Sequence, residues 1–141
     1  MLMLALLAVT LLAFANGAND NFKGVATLFG GGTASFRQAL AWATLTTALG
    51  SLLAVWLAGQ LMTRFSGKGI IPDELLARGE FGIAVALAAG VTVVLASRLG
   101  FPISTTHALV GSMVGAAWAS RAPVQWMSLF AMVISPLLLA P

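Results

Sequence analysis

Charge is what this chain has least of. Of its 141 residues only 8% are Asp, Glu, Lys or Arg, against 60% that are hydrophobic. Soluble domains carry about 25% charged residues, so a chain this bare cannot clothe a water-soluble globule of its size. Cysteine is absent altogether, which excludes disulfides, thiolate metal sites and cysteine nucleophiles. Histidine occurs once, as His107, so any imidazole chemistry rests on that residue alone. The formal charge of +3 and a pI near 10.8 would suit a nucleic-acid binder if the basic residues were gathered. They are not: Lys23, Arg37, Arg64, Lys68, Arg78, Arg98 and Arg121 stand apart, at the ends of apolar stretches. There they serve as interface anchors and snorkelling groups. The expected partner is a lipid bilayer, with no nucleic acid.

What is present is apolar sequence in long runs, with a mean hydropathy of +0.99. A hydrocarbon core about 30 Å thick needs about 20 apolar residues per helical span. Several stretches meet or approach that length, which gives the class: an all-α, polytopic membrane protein. Met1–Ala15 is the first run. Its Ala13-Phe14-Ala15 resembles a signal-peptidase site, but no basic residue precedes it and the rest of the chain is equally membrane-like. A membrane helix whose polar end is used is the better reading. Arg37–Met62 is a clear span with Trp42 and Trp56 near its ends, and Phe81–Leu99 is another. Val124–Ala140 is a further apolar stretch, and Ser104–Ser120 is of half length. Between spans, Thr63–Glu80 is the only sizeable hydrophilic loop, and its Ile-Pro-Asp-Glu predicts a short surface helix. The basic residues divide nearly evenly between the two sides, so they set no orientation. Gly111 and Gly115 form a G-x-x-x-G, which predicts close helix packing.

Two polar knots interrupt this background. The first, "NGAND", runs from Asn16 to Asp20. A carboxylate at mid-membrane costs about 2.5–3.5 kcal/mol on insertion scales, so Asp20 is expected to face a cavity or a partner. Asn16 and Asn19 add amide oxygens, and hard oxygen ligands of this kind suit Na⁺ or a proton. Asn19 and Asp20 are also good N-caps, which predicts a short helix opening at Asn21 and running to Phe29. The plainer reading, in which Asp20 merely caps an interfacial helix, does not account for Asn16, Asn19 and the Gly30–Gly32 exit together.

The second knot is "FPISTTHALVGS", Phe101 to Ser112. Pro102 disfavours helix at Phe101 and ends the preceding span. Ser104 is placed to cap a helix that starts at Thr105. A helix N-terminus carries roughly +0.5 elementary charge and unsatisfied donors, which makes it an anion site. Ser104, Thr105 and Thr106 add hydroxyls without fixed charge. Back-bonding of Ser and Thr within a membrane helix is the competing reading. A serine hydrolase built on Ser104 and His107 is disfavoured, because capping turns the serine toward the first-turn N–H groups; no enzyme is expected. His107 is a donor or packing residue. Paired short, interrupted hydrophobic segments are the sequence pointer to a transporter site.

The stretches "GANDNFKGVATL" and "GFPISTTHALVGSMVG" resemble the two signature regions of one repeat, the N-terminal half, of the inorganic phosphate transporter family. The likeness covers essentially residues 1–141, read as a single transmembrane domain. It implies one half of an inverted-repeat transporter, with spanning helices and two broken or re-entrant half-helices, in the cell (plasma or inner) membrane. It implies secondary transport of phosphate coupled to Na⁺ or H⁺, with no other cofactor. By the same resemblance Asn19, Asp20, Ser104, Thr105 and Thr106 are the substrate residues and Asn16, Asn19 and Asp20 the cation residues, Na⁺ lying at Asp20 and Asn19. His107 and Lys23 are auxiliary, and "NFKG" departs from the more usual Val-Ala-Asn-Ala, so Lys23 either assists an anion or reaches the interface. Another tetrahedral anion such as sulfate, or a membrane assembly subunit with no transport site, are the alternatives. Members of the family carry two related halves, whereas one is present here. The expectation is therefore a piece of a longer gene product, or two copies paired in opposite orientation.

Overall fold

In a computed structural model, residues 1–57, 59 and 66–139 are described, and the following concerns those. The described secondary structure is helical. Helix α1, Leu2–Asp20, leads through a 3-10 turn at Lys23–Val25 into α2, Ala26–Gly30. After a turn at Gly31–Ser35, α3 occupies Phe36–Leu57. A four-residue helix α4, Asp73–Leu76, precedes α5, Gly79–Arg98. Helix α6 is Thr105–Ala119, and the last stretch is α7, Trp126–Leu129, a π-helical segment Phe130–Ile134, and α8, Ser135–Leu139. Three of these runs are long and apolar enough to cross a membrane: Leu2–Gly30, Phe36–Leu57 and Gly79–Arg98. The class expected from composition is the one observed.

Several boundaries have plain local causes. Helix α5 stops because Gly100 takes a left-handed φ of +75° and the Phe101 N–H folds back to the Ala96 carbonyl at 2.9 Å, a glycine-terminated helix end. Pro102 then prevents resumption until Ser104. Helix α4 begins after Pro72, whose fixed φ suits the residue before a first turn. Near the C-terminus, Pro136 has no N–H to donate and crowds the carbonyl four residues back. The π-helical segment lies immediately upstream of it, where the ladder loosens to wider turns. The far end of the span expected to reach Met62, including Arg64, lies outside the described residues, as does Ala140.

Helices α1 and α5 run parallel. Ala8 packs with Ile83 and Ala86, and Ala15 with Ala89 and Val93 further along. The approach is closest at Gly90, where an added Cβ would lie 3.2 Å from Leu11 Cγ and 3.3 Å from the Leu12 nitrogen. Small residues let membrane helices come this near. Helix α6 returns antiparallel to α5, with Ala108 joining the Ala89–Val93 layer at one end and Met113 meeting Phe81 at the other. Ile70 and Ile71 plug that second end. Helix α3 folds back on the segment after Asp20: Val25 packs on Ala39 and Ala43, and the rings of Phe22, Phe29 and Phe36 contact one another at 5.1–6.1 Å. Only 6% of the apolar window of α3 is buried, so lipid or further protein must cover it.

Among the described residues, an added methyl group at neither Gly111 nor Gly115 would meet another atom within 4 Å, whereas at Gly90 it would meet Leu11 and Leu12. The periodicity of small residues alone does not say which of them meets a neighbour.

Candidate functional site

The parallel course of α1 and α5 brings the end of α1 level with the end of α5, and the return of α6 starts at the same height. The two polar knots, far apart in sequence, therefore meet. Thr105 Oγ1 donates to Asn16 Oδ1 at 2.6 Å and lies 3.2 Å from Asp20 Oδ2. Asn19 Nδ2 donates to Asp20 Oδ1 at 2.8 Å and to the Ile103 carbonyl at 3.2 Å. Lys23 Nζ donates to Asp20 Oδ1 at 2.7 Å and reaches the Ile103 carbonyl at 3.5 Å. Below this junction the apolar layer of Ala15, Val93 and Ala108 holds the three helices together.

The helix ends give the junction two poles. Asp20 is the last residue of α1, where unsatisfied carbonyls carry partial negative charge; a cation is favoured there. Ser104 caps α6, its hydroxyl accepting from the His107 N–H at 3.4 Å. The N–H groups of Thr105 and Thr106 have no intrahelical acceptor, as in the first turn of any α-helix, and the positive end of that dipole favours an anion. A carboxylate pole for a cation and an amide-hydroxyl pole for an anion stand side by side. Thr105 belongs to both. Its single hydroxyl proton has two acceptors in reach, so it can release Asp20 without being left unpaired.

One expectation fails in detail. Asn19 and Asp20 do not cap a helix from Asn21 to Phe29. Helix α1 continues through them, the Asn21 N–H bonding to the Gly17 carbonyl at 2.9 Å, and the first residues beyond form the 3-10 turn. The carboxylate oxygens are engaged instead by Asn19, Lys23 and Thr105. Lys23, read as an interface anchor or an anion ligand, instead lies against Asp20. Thr106 and His107 belong to α6 but make no side-chain hydrogen bond among the described residues.

Three contributors do not stand out in the sequence. Ser97 Oγ donates to Asn19 Oδ1 at 3.2 Å, the carbonyl of Ile103 accepts from Asn19 and Lys23, and Asn21 is tied to α3. In that tie Asn21 Nδ2 donates to Thr44 Oγ1 at 3.1 Å and Thr47 Oγ1 donates to Asn21 Oδ1 at 2.8 Å. Thr44 and Thr47, three apart and so on one helix face, were the available signal.

Comparisons with known proteins place the chain among relatives. Residues 16–141 match the model of the Phosphate transporter family. Sodium-dependent phosphate transporter 1-B of Danio rerio is 32% identical over 122 residues, which cover 81% of this chain and 18% of that protein. Sodium-dependent phosphate transporter 2 of Xenopus tropicalis is 33% identical over the same share of this chain and 18% of its own length. Sodium-dependent phosphate transporter 1 of Homo sapiens is 33% identical, with 17% of its length covered. The chain thus spans less than a fifth of these curated relatives. No solved structure matches it.

Proposed function

The chain belongs to the phosphate transporter family, and from that premise we propose that it forms one repeat of a secondary transporter moving inorganic phosphate together with Na⁺ or H⁺. The family is one of transporters rather than enzymes, and the apolar helices make this a multi-pass membrane protein. Phosphate binds at the N-terminus of α6, held by the Thr105 and Thr106 N–H groups and by the Ser104, Thr105 and Thr106 hydroxyls. The cation binds at Asp20 with the amide oxygens of Asn16 and Asn19. The second repeat comes from further chain or from a second copy inserted the other way round.

The observation that carries this reading is the contact of Thr105 with both Asn16 and Asp20. An anion at α6 and a cation at Asp20 would share one hydroxyl and lie close enough to neutralise each other. Desolvating phosphate in a dry cavity is prohibitive without such donors and a nearby cation. The test is ³²P-phosphate uptake by the chain reconstituted densely in liposomes, so that copies of both orientations meet. An imposed inward cation gradient should drive uptake, excess sulfate should compete poorly, and Asp20→Asn should abolish it. Uptake undiminished in Asp20→Asn contradicts the proposal, and uptake no greater than in protein-free liposomes contradicts the second-copy arrangement and leaves the second repeat to further chain.

A further inference from the structure

Lys23 stands where a mobile cation would. Its ammonium is bonded to Asp20 Oδ1 at 2.7 Å and faces the Ile103 carbonyl at 3.5 Å. Asn16 Oδ1 and Thr105 Oγ1 adjoin the other carboxylate oxygen. Carboxylate, carbonyl, amide and hydroxyl oxygens are hard ligands of the kind that hold hydrated metal cations, and the first two of them here hold a charge that is covalently attached to the chain. We propose that Lys23 is a tethered occupant of the cation site, which an incoming Na⁺ must displace from Asp20, so that Lys23 sets the cation affinity. This rests on the cation reading of Asp20 given above.

The surroundings fit a displaceable occupant rather than a fixed structural pair. The two side chains are 57% and 44% exposed, and a half-exposed ion pair is weakly held. The backbone of Lys23, by contrast, is anchored: Val25 is buried against Ala39 and Ala43, and the Phe22 ring is in contact with Phe36 at 5.1 Å. A flexible four-carbon stem on a fixed base lets the ammonium leave Asp20 while remaining nearby. When Na⁺ enters, the freed ammonium lies beside the anion pole at α6. One carboxylate cannot neutralise both charges, so the two occupants exclude each other. Asp20 sits at the negative end of the α1 dipole, which explains why a built-in cation is useful there when no ion is bound.

The consequence is an affinity reduced by the fraction of time Lys23 is away. If the pair is closed about nine-tenths of the time, removing the ammonium should tighten Na⁺ binding about tenfold. The measurement is ²²Na⁺ binding by scintillation proximity to the purified full chain, without phosphate. Lys23→Met keeps the stem and removes the charge, Lys23→Gln is a second uncharged variant, and Lys23→Arg retains the charge. Expected is a roughly tenfold lower Na⁺ dissociation constant in Lys23→Met or Lys23→Gln, with Lys23→Arg close to the parent. Affinity unchanged or weakened in both uncharged variants, or no Na⁺ binding by any of the proteins, overturns the proposal. Because phosphate takes no part, a chain that shows this shift but takes up phosphate equally well as Asp20→Asn condemns the transport reading alone. A chain that takes up phosphate with Na⁺ affinity indifferent to Lys23 condemns only the tethered occupant.

Discussion

Asp20 stands at the carbonyl end of α1, among groups that donate to it. Asn19 and Thr105 donate to it, and Lys23 pairs with it. Charge-assisted bonds of this length are the stronger kind. Thr105 is the side chain that spans both poles, so its hydroxyl is expected to matter more than its size. Thr105→Val should lower phosphate uptake on the order of tenfold, about 1.4 kcal/mol, whereas Thr105→Ser should stay near the parent; uptake rates in liposomes check both. Asn16→Ala should act in the same direction as Thr105→Val, and the two changes combined should be less than additive, since they remove the same bond. At this scale much was legible. Asn16, Asn19, Asp20, Ser104 and Thr105 stand out because polar groups are expensive in an apolar chain. Ser97 and the Ile103 carbonyl were hidden, because a lone serine near a helix end and a backbone oxygen carry no compositional signal. Thr106 and His107 belong to the same motif, yet their side chains join no bonded network within the described residues.

Among the elements, the site depends on how far α1 and α5 slide along each other. Gly90 fixes that closeness: a methyl there meets Leu11 and the Leu12 backbone at 3.2–3.3 Å. Gly90→Leu should force the helices apart and cost about 1–3 kcal/mol, in the range of overpacked cores. The check is the thermal midpoint of the purified protein in detergent, and the Thr105–Asp20 junction should weaken with it. Gly111→Ala is the contrast. Its surroundings within the chain are open, so the helix-propensity gain of up to about 1 kcal/mol is expected to show. A second stability effect belongs to Gly67, whose φ of +80° and position against Met113 leave no room for a side chain; Gly67→Ala should lower the midpoint. The spans at Phe36–Leu57 and Gly79–Arg98 could be read from hydrophobic length, and the α6 start from Pro102 and Ser104. The end of α1 could not. "NGAND" contains strong capping residues, and only the bonds Asp20 makes, a local one to Lys23 and a tertiary one to Thr105, show that it finishes one helix instead of starting the next. The α1–α5 register was likewise invisible, since it depends on a contact between residues about eighty positions apart.

Taken whole, the molecule is an incomplete shell around its own junction. Large apolar side chains such as Leu2 and Trp56 are 75% and 88% exposed, and surface of that kind needs lipid or further protein. Under the proposed function, the charge of the carried ion also acts at this scale. Carrying one H₂PO₄⁻ into a negative interior costs about 2.3 kcal/mol per 100 mV, while two Na⁺ moving inward return about 4.6 kcal/mol. A cycle with two cations per anion is therefore driven by voltage as well as by the gradient. Uptake should rise when a valinomycin-clamped K⁺ gradient makes the liposome interior negative; a fall would exclude that stoichiometry.

Under the proposed function cation and anion share one junction, and binding linkage measures that directly. If Asp20 and the α6 N-terminus act together, the cation that tightens phosphate binding must itself be tightened by phosphate by the same factor. Phosphate affinity of the purified chain should be measured against Na⁺ at fixed pH, then against pH at fixed Na⁺. Expected is a clear gain in phosphate affinity with one of the two cations, matched in the reciprocal titration and lost in Asp20→Asn. Phosphate affinity indifferent to both cations, or a cation dependence that survives Asp20→Asn, would contradict a shared site.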